Sequence, residues 1–365
     1  MQRLQILTFI SVILAITVYQ LKHQASSTEA AGVGLLVPKQ WLKNNYSTNI
    51  PKKDIRPADQ TFLTYPEWFL VFSPAEQADY FKTNTSTTFP YLNHISQLWQ
   101  GYEIVYDQIK GNFKFNTGYH IMIWVIAVST TAEYGIKSFY ETFIGGFTNP
   151  DSKSRLTEED QFNARYMQSY VTFIERTPWY EYDFNQQLHQ LWGETPLKGE
   201  HFFRKIERRY YLSTELLVKA GYGWIIKLGT QSAYDAALLN TAVTIHDPFH
   251  KGHYPTGVSF VNVNPNGIFM NFSRYAPFKE AAIETAKENI NFVDIAGNNG
   301  AILLTVLTEK DLKIQPEVFR LLFSQPIITM PGTKRLALVT PVSNLSKLLM
   351  YLENEGVELE HIYDY

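Results

Sequence analysis

This sequence predicts an α+β chain with a membrane segment at its start, and three observations carry the prediction. Leu4 to Tyr19 is an unbroken run without a charge, flanked by Arg3 and Lys22. Residues 61–245 are dense in helix-start signals and in apolar side chains at helical spacing. From Asn266 onward, short apolar runs alternate with helical stretches and turn signals, the pattern of strand-helix-strand units. The chain therefore divides into a membrane anchor (1–22), an extended tether (23–60), a mainly helical domain (61–245), an interdomain loop (246–265) and a C-terminal α/β sandwich (266–365).

Spanning a hydrocarbon core takes about 20 mostly apolar residues, whereas the apolar core of a cleaved signal peptide is about 7 to 15 long and precedes a small-residue site. Leu4 to Leu21 lies between the two. The small residues that follow, Ala25-Ser26-Ser27 and Ala30-Ala31-Gly32, lack a clean A-x-A, which favours a retained anchor. Arg3 with the amino terminus opposes Lys22, Lys39 and Lys43, and the folded body is expected outside the cytoplasm.

His23 to about Gln60 is polar and aperiodic, with Pro38, Pro51 and Pro57, and reads as a tether packing along the body. Thr64-Tyr65-Pro66-Glu67 and Ser73-Pro74-Ala75-Glu76 are two capping boxes, each predicting a helix start. A third helix follows Phe89-Pro90, with Tyr91, Ile95, Leu98, Trp99 and Tyr102 at helical spacing. Phe115 to Ala132 has no charge, but Asn116, Gly118 and His120 dilute it, and the helix continues through Glu133, Lys137 and Glu141. It is expected to be buried or to lie on a membrane surface rather than to cross. Further helices are predicted from Thr157 to about Arg176, ended by Pro178, and from His201 to Lys227, the latter opening on the basic cluster Arg204, Lys205, Arg208 and Arg209. Glu133-x3-Lys137 recurs as Glu215-x3-Lys219. Each pair shares a helix face in the favourable orientation, and the match continues at Tyr140/Tyr222, Ile144/Ile226 and Thr148/Thr230; two similar helices packed about a pseudo-twofold axis would give it, but five matched positions also arise by chance, which is the expectation.

In the C-terminal region Ile268–Ser273, Phe292–Ala296 and Ala301–Leu307 read as strands, with a helix over Pro277–Asn289 and a hairpin turn at Gly297-Asn298-Asn299-Gly300. A short helix is expected around Pro316–Phe323. A second strand-helix-strand unit follows in 336–340, 343–355 and 357–363. Two such units with a hairpin between them predict a ferredoxin-like, split βαβ sandwich.

Composition narrows the function. Lys and Arg number 32 against 35 Asp and Glu, so there is no electrostatic footprint for nucleic acid. With no cysteine, disulfides, thiolate catalysis and Cys-ligated zinc are excluded. P-loop, dinucleotide, zincin and serine-hydrolase motifs are missing. One cluster has metal-ligand character: His246, Asp247, His250 and His253, whose imidazoles and carboxylate suit a divalent metal with an open position for water. Pro248 and Gly252 argue that these residues form a solvated loop instead. Glu67, Glu133, Glu141 and Glu215 sit among aromatic residues, where burial would raise a carboxyl toward acid-base use; their spacing gives caps and ion pairs first.

Thr61-Phe62-Leu63-Thr64-Tyr65-Pro66-Glu67-Trp68, Glu133-Tyr134-Gly135-Ile136-Lys137, Thr177-Pro178-Trp179-Tyr180-Glu181 and the tail Leu359-Glu360-His361-Ile362-Tyr363-Asp364-Tyr365 resemble a group of uncharacterised bacterial membrane-anchored proteins over most of residues 61–365. The resemblance implies a bacterial, membrane-associated setting and supplies no activity or site residue; the histidine cluster is not part of it. The expectation is thus a single-pass inner-membrane protein with a periplasmic body, touching lipid through its N-terminal helix and acting as a binding or scaffolding module toward a protein partner or a second copy. The alternative is a metal-dependent hydrolase built on the histidine cluster.

Overall fold

The computed structural model describes residues 37–149, 156–233, 239–247 and 254–365; the N-terminal run, His250 and His253 lie outside these. The α+β class holds, with most of the helices between residues 60 and 233 and, after them, two antiparallel four-stranded sheets with one helix each in their chain order. The chain forms two compact units. Among the described residues, one comprises 68–96, 126–149 and 156–233; the other comprises 37–67, 97–125, 239–247 and 254–365.

The helices are α1 (Gln60–Tyr80), α2 (Tyr91–Ile109), α3 (Thr117–Tyr140), α4 (Glu158–Ile174), α5 (Phe184–Glu194) and α6 (Phe202–Ala233). Thr157 caps α4 as predicted, in a reciprocal box with Asp160. The two boxes at Thr64 and Ser73 do not start helices, because α1 runs straight through both. Thr64 turns its hydroxyl back to the Gln60 carbonyl at 2.7 Å, and Ser73 is spent on His94 and Tyr134. Tertiary partners thus override a local signal that a proline in the first turn seemed to strengthen.

In the second unit, β1 (Asn240–His246), β2 (Val258–Asn264), β3 (Gly267–Ser273), α7 (Ala276–Lys287) and β4 (Asn291–Ile295) are followed by β5 (Ala301–Thr308), β6 (Arg320–Pro326), β7 (Lys334–Pro341), α8 (Leu345–Asn354) and β8 (Glu358–Tyr363). The sheet orders are β2-β3-β1-β4 and β6-β7-β5-β8, so one βββαβ plan is used twice. The irregularities repeat with it. Opposite β1, the register passes from Thr244/Asp294 to Ile245/Phe292; opposite β5 it passes from Thr305/His361 to Val306/Leu359. The hairpins carry matching bulges between Phe260 and Asn262 and between Leu321 and Phe323. Bulges at equivalent positions are designed features of a sheet, and here they mark an internal repeat.

This corrects the expected layout in four places. Residues 246–265 are not an interdomain loop, since β2 lies within them and pairs with β3. The helical region stops before 245, because β1 is the strand between β3 and β4. The segment around Pro316–Phe323 turns and enters β6 rather than forming a helix. The turn at 297–300 joins strands of different sheets, so it closes no hairpin, and the 266–365 strands are divided between two sheets instead of forming one ferredoxin-like sheet. What does appear, twice, is a split β-α-β unit: β3-α7-β4 around β1, and β7-α8-β8 around β5.

One apolar core binds both sheets to α7 and α8, through Val243, Met270, Phe278, Phe292, Leu304, Leu338 and Leu348 among others. The second sheet is buried on its other face too. Thr61 there donates to the Tyr363 carbonyl at 2.7 Å and accepts the Leu303 amide at 2.9 Å, and the Tyr65 ring meets Phe323 and Tyr363 edge-on. Two-sided burial explains why β5 reads as a continuous apolar run without alternation.

Candidate functional site

The densest chemistry is in the helical unit, where α3 and α6 run antiparallel. Lys137 Nζ stands 2.9 Å from Glu133 Oε1 and 3.0 Å from Glu215 Oε1; Lys219 Nζ stands 3.0 Å from Glu215 Oε1 and 3.6 Å from Glu133 Oε1. The repeated Glu-x3-Lys pairs thus close into a four-charge ring of zero net charge, each lysine bridging both glutamates. The echo goes no further: Tyr140 packs on Tyr211, whereas its counterpart Tyr222 stacks on Trp179.

Electrostatics follow from the ring. Burial alone would push the Glu215 carboxyl up, but Lys137 and Lys219 outweigh it and hold it at about 2. Partly exposed Glu133 is likewise held below the usual carboxylate range. Burial would pull the Lys137 ammonium down, yet Glu133 and Glu215 keep it well above an ordinary lysine. Tyr134, Tyr166, Tyr170 and Tyr211 around the ring are all raised, chiefly by burial. These carboxylates stay ionised, which is the opposite of what acid-base work at neutral pH needs.

A second network continues along the same two helices. The basic cluster of α6, which a surface helix would turn to solvent, is turned inward. Arg208 meets Glu141 Oε1 at 2.6 Å, Ser86 Oγ at 2.6 Å and Glu207 Oε2 at 2.7 Å. Arg204 pairs with Asp160 at 2.9 Å, Lys205 with Glu158 at 2.7 Å and Arg209 with Glu159 at 3.2 Å. Glu141 opens a π-helical turn, Glu141–Gly145. A Cβ on Gly145 would fall 2.2 Å from Glu141 Oε2, so only glycine lets the carboxylate lie back over the turn.

Sequence reasoning missed a third polar line. Ser73 Oγ lies 2.9 Å from His94 Nδ1, and His94 Nε2 lies 3.5 Å from Glu76 Oε2. The residue types are those of a serine-hydrolase triad, but Ser73 and His94 are buried and Tyr134 occupies the serine at 2.7 Å, leaving no approach for a substrate. The line staples α1 to α2 and α3.

In the other unit Glu67 accepts a hydrogen bond from Tyr119 Oη at 2.5 Å. Burial raises its carboxyl, while this bond and Arg274 oppose the rise. Unlike Glu133 and Glu215, Glu67 is left raised by burial. Arg56 and Arg274 converge on Asp364 at 3.7 and 3.5 Å, and both donate to the Tyr365 carbonyl, fixing the end of β8 beside β1. His246 is exposed at the end of β1 and Asp247 next to it is buried; among the described residues no three His, Asp or Glu side chains converge as a metal site. No protein-family model matches this chain, nor does a curated protein or a solved structure.

Proposed function

We propose that this protein is a membrane-anchored module of the bacterial envelope that works by binding or scaffolding, with Leu4 to Leu21 as a retained anchor and the body on the periplasmic side. The observation that carries the reading is the closure of its polar clusters. The Glu133–Lys137–Glu215–Lys219 ring, the Arg208 network and the Ser73–His94–Glu76 line spend their groups on one another, while what the protein offers outward is apolar: faces of α3 and α6, and the strand β2 with Phe260, Val261 and Val263 exposed. Surfaces of that kind mark association rather than chemistry. Among the described residues no helix is long and apolar enough to cross a membrane.

Carbonate extraction of native membranes, N-terminal sequencing and crosslinking with mass spectrometry test the proposal. The expected result is an intact chain in the extracted pellet, crosslinked to a constant neighbour. A released chain beginning near residues 26–32 sinks the anchor, and a solitary, hydrolytically active protein sinks the binding role.

A further inference from the structure

Helices α3 and α6 are built inside out. Residues 128–147 and 202–225 contain ten charged side chains: Glu133, Lys137 and Glu141 in the first stretch, and Arg204, Lys205, Glu207, Arg208, Arg209, Glu215 and Lys219 in the second. Nine of the ten side chains are at most 18% exposed, and Glu133 alone is half-exposed. The outward positions hold Val128, Ile136, Phe139, Phe143, Ile144 and Phe147 on one side and Phe203, Ile206, Leu217, Val218, Trp224 and Ile225 on the other, with Phe203 80% and Trp224 64% exposed. A helix surface in water shows the reverse arrangement, charges outward and an apolar stripe inward. Ionisable residues that face the bundle interior and pair there are the mark of helices surrounded by hydrocarbon.

We infer that this α3/α6 face lies against the acyl chains of a lipid bilayer, a contact separate from the N-terminal anchor and resting on the membrane-bound reading above. Three features select lipid over a protein partner. Apart from the half-exposed Glu133 side chain, the face shows no open charge over residues 128–147 and 202–225, roughly 30 Å at 1.5 Å per residue, whereas protein interfaces carry a polar rim and about one hydrogen bond per 100–200 Å². Its exposed threonine hydroxyls are tied back to the helix, Thr142 to the Ser138 carbonyl at 2.8 Å and Thr214 to the Tyr210 carbonyl at 2.9 Å, which satisfies them where no water is present. The charges beneath are paired with one another, in a ring whose net charge is zero.

The absence of cysteine makes the test direct. Single cysteines at Phe139, Val218 and Ile225, and at Gln168 on the polar outer face of α4, are introduced into the full chain, spin-labelled and reconstituted in phosphatidylethanolamine–phosphatidylglycerol vesicles. Collision with oxygen, which partitions into acyl chains, is compared with collision with a water-soluble nickel chelate. The expected result is several-fold preference for oxygen at 139, 218 and 225, with nickel preferred at 168. Nickel preference at all four positions in vesicle-bound protein overturns the lipid-facing assignment and leaves the anchor standing. Protection from both reagents at 139, 218 and 225 overturns it in favour of a protein cover, a second copy or a partner. Protein that stays in solution when vesicles are pelleted refutes the membrane reading itself.

Discussion

Single side chains in this protein matter through the charge they leave behind. Glu215→Gln would remove the carboxylate shared by Lys137 and Lys219 and leave two cations facing the half-exposed Glu133, a loss of about 3–5 kcal/mol for an opened buried pair; urea unfolding reads it. Replacing all four ring members with Leu and Met should recover most of that loss, since it removes the burial cost along with the attraction. The pH dependence follows from the depressed Glu215 carboxyl. Its stabilisation is complete above the ordinary value of 4.5 and declines as pH falls from there toward about 2, so the urea midpoint should drop across that window and Glu215→Gln should flatten the drop. Tyr119→Phe acts in the other direction on Glu67: without the phenolic donor, burial and Asp364 have less to oppose them, and a carboxyl-carbon NMR titration should show the Glu67 midpoint moved further up. The ring was legible in the sequence as a Glu-x3-Lys echo on two helices. The Ser73–His94–Glu76 line was not, because Ser73 and Glu76 also satisfy the pattern of a cap, and nothing local says that a histidine 21 residues away will claim the serine.

At the scale of elements, most long helices were legible though α5 was not, and β3, β4, β5, β7 and β8 were legible, most plainly where apolar runs are continuous. Buried on both faces, β5 and β7 advertise themselves. β1 does not, because Asn240-Thr241-Ala242-Val243-Thr244-Ile245-His246 mixes hydroxyls with apolar residues and follows a long helical stretch, although Thr241 and Thr244 are as buried as Val243. β2 sits at a sheet edge with both faces open, so its pattern carries no burial signal to read. Hydrogen exchange should sort the strands accordingly, with Leu303 and Leu338 amides among the slowest and the outward amides of β2 among the fastest. At the start of β3, Gly267 holds φ at +149°, and a Cβ there would fall 2.3 Å from the Ile245 carbonyl. Gly267→Ala should therefore cost about 1–3 kcal/mol and speed exchange in β1 and β3 together, since the clash lies in the ladder that joins them.

For the whole molecule, chain order and compactness disagree. Each unit is assembled from separated stretches, so the chain passes from one to the other and back before the sheets begin. A boundary placed by composition at 246–265 cuts through this arrangement, because β2 lies within that stretch and pairs with β3. The consequence is a prediction opposite to the one composition makes. Residues 266–365 expressed alone would keep β3 and β4 but lose β1, the strand that holds them in one sheet, and would expose the face of the second sheet that Thr61 and Tyr65 cover. That fragment should show no cooperative unfolding transition and should aggregate through its bare strand edges. By contrast, full-length protein nicked by protease between β1 and β2 should keep its two pieces together in native gel filtration and release them only in denaturant, because ten register pairs join β1 to β3 and β4 across the cut. Separation of the pieces without denaturant would mean that the ladder is not the bond holding this unit together, and the repeat of the βββαβ plan would then have to be stabilised by the α7 and α8 core alone.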